Sequence, residues 1–252
     1  MTRSLWRRCA AVAVLCLIGL TGLTGCRTQA GVAAFVGTTR ISEDNLRGVS
    51  DQGLAQRAIK AQVGGDVAGY RQLILSRLIR RQLIEDSARK LRVSVSKGDV
   101  DQYQSRTVAQ LGGRAQVTQA LAQVKLPPSQ LRPFLRELLL IRKIGERLTQ
   151  GVTFTDAQLR KYYDEHGGAS NGGTFEQLKA DVINAMRGAL GEQEAEAYVT
   201  TYLKGVALKV NPRFGRFDRS KLFTANDASS VVTPPDALVR DTAAKVKPSP
   251  AP

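Results

Sequence analysis

Apolar residues recur at helical spacing along most of this chain. One stripe begins after Asp66, and gaps of three, four and one residues place its members on a single helix face. A second stripe of the same period begins after Pro127-Pro128. These patterns predict two long amphipathic helices. The stripes consist of Tyr70, Leu73, Ile74, Leu78, Ile79, Leu83, Ile84, Ala88 and Leu91, and of Leu131, Phe134, Leu135, Leu138, Leu139, Ile141, Ile144 and Leu148.

Residues that favour helix boundaries divide the rest of the chain. Ser or Thr stands before several apolar runs, where its hydroxyl can accept a hydrogen bond from a free backbone amide. The candidate caps are Ser42, Ser96, Ser129, Thr155 and Thr174, and Ser96 and Thr155 each have a capping-box partner three residues later. The predicted helices cover about 43–63, 66–91, 97–111, 116–124, 130–150, 156–165 and 175–205.

Two short apolar runs have the character of strands. Ala33–Gly37 ends in a glycine turn near the start of the chain, and Ala207–Val210 follows the last predicted helix. Because the helices account for most of the remaining sequence, we predict a mainly α fold with a small β element. Residues 219–252 are rich in Pro, Ser, Ala and Lys and lack periodicity, which predicts a disordered tail.

The N-terminus has the organisation of a secretory signal. Three arginines precede an apolar segment, Ala10–Leu20, which is too short for a stable membrane-spanning helix. The sequence Leu23-Thr24-Gly25-Cys26 follows and resembles a bacterial lipobox, in which the cysteine thiol carries the lipid and the chain is cut just before it. We therefore expect residues 1–25 to be a signal peptide and Cys26 to be the lipid attachment site. The alternative is an ordinary signal peptide with a chance cysteine.

Cysteine usage agrees with lipidation. Cys9 and Cys16 lie in the segment to be removed, so the mature chain keeps only Cys26. A lone exported thiol would otherwise be open to oxidation. Two or more acyl chains at this residue would give stable anchoring, which predicts the lipid bilayer as one partner, at the extracytoplasmic face of a bacterial cell membrane.

The chain is strongly basic, with a formal net charge of +15. Such a charge often indicates nucleic-acid binding. Export argues against that partner here, since the anions outside the cytoplasm are lipid head groups, wall polymers and acidic protein segments. The alternative is that the basic residues form solvated helix faces.

The sequence offers little catalytic chemistry. His166 is the only histidine, and it stands at a predicted helix end beside glycines. We see no Ser/His/Asp set, phosphate-binding loop or cluster with metal-ligand spacing. We therefore expect no enzyme activity, no cofactor and no metal.

The order of the segments resembles a known family. An opening Ala34-Phe35-Val36-Gly37, a basic amphipathic helix, Val93-Ser94-Val95-Ser96, Val152-Thr153-Phe154-Thr155 and a closing Val210–Asp218 occur in sequence. This order is similar to that of SurA-like and PrsA-like extracytoplasmic chaperones over about residues 33–218, preceded by a tether at 26–32. The resemblance implies that the first and last strands pair and that helices from both ends pack around a groove.

The chain departs from that family at one place. A parvulin-type prolyl isomerase domain usually lies between the helix capped by Thr155 and the last long helix. Here only a short linker, 166–173, occupies that position, which is far too short for a catalytic domain. No isomerase site residues can be carried over, so isomerase activity is the least favoured function.

These observations lead to one main hypothesis and one alternative. We expect a membrane-anchored chaperone that binds unfolded or newly exported polypeptides without catalysis. Tyr70, Ile74, Phe134 and Leu138 are the candidates for lining its cleft, although simple core packing is the alternative for each. The competing function is a structural or adaptor lipoprotein that holds one specific envelope partner.

Overall fold

A computed structural model describes residues 30–218 and 232–233. The described chain is mainly α-helical with a small antiparallel sheet, as predicted. The α-helices are α1 (Glu43–Leu54), α2 (Arg57–Val63), α3 (Val67–Lys90), α4 (Lys97–Gln110), α5 (Arg114–Gln123), α6 (Leu131–Leu148), α7 (Asp156–Glu165) and α8 (Phe175–Gly205). The strands are β1 (Val32–Val36), β2 (Thr39–Ser42), β3 (Leu208–Val210), β4 (Arg216–Phe217) and β5 (Val232–Thr233).

Four of the five predicted helix caps are confirmed. Ser129 is wrong as a cap, because it lies within a short 3-10 turn, Pro128–Gln130, and α6 begins after Gln130 without a side-chain cap. The Ser42 hydroxyl accepts a hydrogen bond from the amide of Asn45 at 3.1 Å. Complete capping boxes begin α4, α7 and α8, where the third helical residue also accepts a hydrogen bond from the capping residue's amide. These local interactions satisfy amides that would otherwise lack partners at the helix ends.

One predicted helix, over 43–63, is wrong as a single element. The chain breaks between α1 and α2, and Gln56 adopts an extended conformation. Gly53, just before the break, packs so closely against Tyr70 that a Cβ there would overlap the tyrosine hydroxyl. The change of direction buries Ile59 completely and brings α2 beside α5.

The sheet joins the two ends of the folded region. β1 lies in the centre and pairs antiparallel with β2 on one side and with β3 on the other. Pairing of the N- and C-terminal strands is thus confirmed, but the sheet has three strands where we expected two. The additional strand, β2, forms a hairpin with β1 around Gly37, whose φ of +57° suits glycine.

Side chains reinforce this junction. The Asn211 side-chain amide donates hydrogen bonds to the Val32 carbonyl at 3.0 Å and to the Glu43 carboxylate at 3.3 Å. Arg213 forms an ion pair with the same carboxylate at 2.9 Å. The segment after β3 is therefore fixed both to β1 and to the start of α1.

Helix α3 is the centre of the hydrophobic core. It contacts α1, α6, α8 and β1, and its most deeply buried side chains are Leu75, Ile79, Leu83 and Ile84. Helices α6 and α8 pack against each other most extensively, and they approach closest where Gly145 meets Gly191. A side chain at this crossing would separate the two helices.

A second, smaller cluster lies between α7 and the N-terminal half of α8. Its buried members are Leu159, Tyr163, Phe175 and Val182. The Tyr163 hydroxyl donates a hydrogen bond to the Gly173 carbonyl at 2.7 Å, across the linker 166–173. The linker is thus closed by its own contacts, while the C-terminal half of α8 enters the main core.

Among residues 30–218 and 232–233, no helix combines the length and hydropathy needed to cross a membrane. The predicted signal peptide and most of the tether lie outside the described residues. So does most of the predicted disordered tail, in which only Val232–Thr233 is described.

The helix crossing gives a first prediction. A Cβ on Gly145 would lie 2.3 Å from the Gly191 carbonyl oxygen, which belongs to backbone and cannot rotate away. Gly145→Ala is therefore expected to lower the free energy of unfolding by about 3 kcal/mol. Urea denaturation followed by circular dichroism measures this change.

Gly188→Ala on α8 is the matched control. A Cβ at Gly188 meets no atom within 4 Å, and alanine is the better helix former. This variant is expected to be more stable by about 0.5–1 kcal/mol. Equal stability of both alanine variants would contradict the close crossing.

Candidate functional site

A concavity lies between α2 and α5. It is an open cavity of about 330 Å³, here named the glutamine groove. Two or three side chains of an extended peptide would fill this volume. The groove is lined by Gln56, Ala58, Ile59, Gln62, Ala115, Thr118, Gln119, Ala122, Gln123, Leu126 and Pro128.

The lining of the glutamine groove carries no charged residue, although the chain as a whole is strongly basic. Residues 52–65 and 102–136, from which it is built, contain neither Asp nor Glu. Arg57, Lys60 and Arg114 are exposed on the two helices that form the groove. The groove is therefore neutral inside, and the charged residues of the two helices that form it, here named the basic rim, are all basic.

Glutamine side chains give the groove its hydrogen-bonding capacity. The Gln62 amide donates a hydrogen bond to the Ala122 carbonyl at 3.0 Å, which links α2 directly to α5. Gln119 and Gln123 are exposed, so their amide groups can both donate to and accept from a bound backbone. The alanines of the lining are small and leave the groove open between these glutamines.

The two supporting helices are lightly anchored. Only Ile59 of α2 is buried, whereas α5 buries Val117, Leu121 and Ala122. Both helices are short and contribute few apolar contacts in comparison with α3. Elements of this kind open at lower free energy than a core helix.

The four cleft candidates from the sequence do not form one surface. Tyr70 and Ile74 are buried in the core, at 3% and 1% exposure, so in this structure neither can line a cleft. The Tyr70 hydroxyl donates to the Lys125 carbonyl at 3.2 Å, and burial raises the pKa of Tyr70 to about 12. Phe134 is half-buried, and Leu138 is 39% exposed on α6.

The arginines of α3 build a buried ion-pair cluster with the two long C-terminal helices. Arg80 contacts Glu137 of α6 at 2.6 Å and also pairs with Glu196 of α8. Burial raises the pKa of Glu137, an effect that Arg80, Arg81 and Arg77 oppose. Arg80 is thus the charge that links all three helices of the core.

Neighbouring arginines reach the chain that leads out of the groove. Arg77 donates to the Val124 carbonyl at 3.0 Å, and Arg81 donates to the Gln130 side chain at 3.0 Å. Burial lowers the pKa of both guanidinium groups. The C-terminal end of α5 is therefore held by cations of α3, in accord with the helix dipole.

A further ion pair secures α4 against α6. Lys143 contacts the Asp99 carboxylate at 3.0 Å. Hydrogen bonds from the Ser96 amide, from Lys143 and from the Ser96 hydroxyl lower the pKa of Asp99. One carboxylate thus completes the capping box of α4 and holds its neighbour.

His166 and Cys26 are the remaining residues that the sequence singled out for their chemistry. His166 ends α7, where its ring stacks on Tyr162 with centroids 3.8 Å apart. Within the described residues, no group of three or more His, Cys, Asp or Glu side chains could hold a metal. Cys26 lies outside the described residues.

Sequence reasoning missed the glutamine groove. Its two walls are separated by more than fifty residues and meet only because the chain turns after α1. One signal was available: both walls come from stretches without acidic residues and rich in glutamine and alanine. That composition marks two segments whose surfaces differ from the charged faces elsewhere.

The ion-pair cluster gives a second prediction. Arg80→Met removes the direct partner of a buried carboxylate and is expected to cost about 3 kcal/mol of unfolding free energy at pH 7. Without Arg80 the pKa of Glu137 rises further. An acid whose folded pKa is raised contributes stability that is present below its unfolded pKa and lost as pH rises. The deficit should therefore be largest near neutral pH and smallest near pH 4.5.

Denaturant titrations at both pH values test this expectation. Arg142→Met is the matched control, because Arg142 forms an exposed pair with Glu146 one turn along α6. It should change stability by only about 0.5 kcal/mol or less. A pH-independent deficit in Arg80→Met would show that the cluster does not control the charge of Glu137.

Comparison with protein families places these features in context. A sequence model described as the SurA-like N-terminal domain matches residues 3–145, and no parvulin domain is detected. Among curated proteins, no match reaches significance. The domain is of chaperone type, and the matched region contains β1, β2, both walls of the glutamine groove and most of α6. Because more than half of the sequence is matched, the chain belongs to the SurA-like N-terminal domain family.

Proposed function

We propose that this protein is a lipid-anchored chaperone that holds unfolded, newly exported polypeptides without catalysing their isomerisation. The family supports a chaperone-like role. The observation that supports the glutamine groove as the holding site is its neutral interior. An unfolded chain offers extended backbone and small or apolar side chains, and this groove presents matching chemistry.

Weak and unspecific binding follows from the lining. Each exposed glutamine can bond a client carbonyl or amide regardless of the side chain that the client carries there. Alanine and threonine walls bury modest apolar area, so affinity comes from several small contributions. A neutral pocket imposes no charge requirement on the segment inside it, which gives breadth in place of specificity.

The basic rim affects the rate at which a client associates more than the rate at which it dissociates. Arg57, Lys60 and Arg114 form none of the ion pairs found among the described residues. Their field would attract clients with acidic flanks and speed association at low ionic strength. Salt should therefore slow capture of acidic clients more than that of neutral ones.

Anchoring through Cys26 would keep this groove at the membrane surface, where exported chains emerge. The described domain begins only a few residues after Cys26, so a lipidated chain would hold the domain near the bilayer. The basic surface would add attraction to anionic lipids, at about 1 kcal/mol for each residue near the head groups. Membrane proximity raises the local concentration of chaperone and client together.

Blocking the groove is expected to weaken client holding. Gln119→Trp places an indole in the lining and should reduce suppression of aggregation of a reduced, unfolded model protein at least threefold. Light scattering at several chaperone-to-client ratios measures this effect. Ala120→Trp adds the same ring to the neighbouring exposed position outside the lining, and it should retain wild-type suppression.

Two outcomes would contradict the proposal. Equal suppression by the two tryptophan variants would exclude the glutamine groove as the holding site. An unmodified chain that fails to suppress aggregation at several-fold molar excess would exclude general chaperone function. A single stoichiometric partner in envelope cross-linking would instead favour the adaptor alternative.

Lipid attachment is tested separately. Cys26→Ser is expected to abolish incorporation of labelled palmitate and to release the protein from the membrane fraction of a bacterial host. Cys16→Ser changes a cysteine inside the predicted signal segment and should leave both properties intact. Continued labelling of Cys26→Ser would rule out this residue as the attachment site.

A further inference from the structure

Strand β4 has a single strand neighbour among the described residues, and that neighbour comes from the tail. Arg216 pairs with Thr233 and Phe217 pairs with Val232 in an antiparallel register. The backbone of β5 also lies against α3. Without β5, the outer edge of β4 would expose unpaired backbone donors and acceptors, which can template an added strand.

The edge of β4 is firmly positioned. Phe214 and Phe217 pack, half-buried, against the main hydrophobic core. Gly215 between them has a φ of +116°, a conformation that favours glycine and turns the chain into β4. Asn211 and Arg213 fix the preceding turn to β1 and Glu43. The strand is therefore presented by the body of the fold and does not depend on β5 for its place.

The segment that fills this edge has a distinctive sequence. Val231, Val232 and Thr233 are all β-branched, the residue class most enriched in strands. Pro234-Pro235 follows immediately, and proline has no amide hydrogen to continue a ladder. The sequence thus limits the added strand to a few residues.

The energetics favour an exchangeable contact. A pairing of two residues is marginal by itself. Because β5 belongs to the same chain, its effective concentration at β4 is higher than that of a free peptide. A contact of this size can be displaced by another extended chain of higher affinity.

We propose that the β4 edge is a docking site for extended β-branched segments, and that Val232–Thr233 occupy it as a built-in competitor. The segments that the docked tail would exclude from this edge belong to unfolded exported clients, and this point rests on the proposed function. Docking of the tail itself does not depend on that function. The tail would then limit access of clients to one surface of the domain.

Disulfide trapping tests the register directly. Cys9, Cys16 and Cys26 are replaced by serine in the full-length chain, kept in mild detergent, and Arg216→Cys is combined with Thr233→Cys. Directly opposed residues of an antiparallel pair lie within reach of a disulfide. We expect this pair to oxidise at least tenfold faster than the pair Arg216→Cys with Ser229→Cys.

Ser229 makes a stringent comparison because it is closer to Arg216 along the chain. An undocked tail would bring the nearer cysteine to Arg216→Cys at least as often. Equal rates, or a faster reaction at position 229, would overturn the proposal.

Peptide capture tests competition without an aggregation assay. The probe is a peptide of residues 229–235 with cysteine in place of Thr233. It should form a mixed disulfide with Arg216→Cys at least fivefold faster in a chain ending at Asp218 than in the full-length chain. Both hydrophobic clusters, as far as the structure describes their members, are built from residues before Asp218, and circular dichroism checks that the shortened chain is folded.

A second peptide with glycine at positions 231 and 232 tests whether capture requires the β-branched valines. It should react no faster with the shortened chain than with the full-length chain. Equal capture of the first peptide by both chains would overturn the competitor role. Loss of holding in the Gln119→Trp assay bears only on the glutamine groove, so the two proposals fail independently.

Discussion

The central position of β1 is the constraint on which the rest of the structure depends. β1 pairs with β2, which follows it directly in the sequence, and with β3, which comes from the far end of the folded region. All eight described α-helices therefore lie within one long loop closed by a three-residue strand. Closing so long a loop is entropically costly, and the buried contacts of α3, α6 and α8 must offset it. The Asn211 and Arg213 contacts secure the closure once it forms.

The ion pairs and the uncharged groove lie in different parts of this fold. The arginines of α3 are directed toward Glu137, Glu196 and the C-terminal end of α5, so much of the basic character is used between helices. The glutamine groove, in contrast, is built without charge and held by few buried residues. A rigid, ion-paired body thus carries a less firmly anchored and chemically neutral groove. That division would suit the proposed role, in which the groove binds many sequences while the body keeps its fold.

The sequence was informative wherever the determining interaction was local. Ser96 with Asp99, and Thr155 with Gln158, predicted helix starts because a capping box involves residues three positions apart. The break between α1 and α2 was missed because it accompanies close packing of Gly53 against Tyr70, a tertiary contact. Tyr70 itself was assigned to a cleft because a helical stripe does not distinguish the part that faces a core from the part that faces solvent. The glutamine groove was beyond reach for the same reason, since neither of its walls is a motif alone.

The hairpin of α7 and α8 has a consequence for the evolution of the chain. Tyr163, Phe175 and the Gly173 carbonyl close its tip through contacts that involve no residue of the main core. Additional sequence between residues 166 and 173 would leave both the sheet junction and the α6–α8 crossing unchanged. The tip is therefore a structurally permissive site, at which a lineage can gain or lose an entire module while the parent scaffold continues to fold.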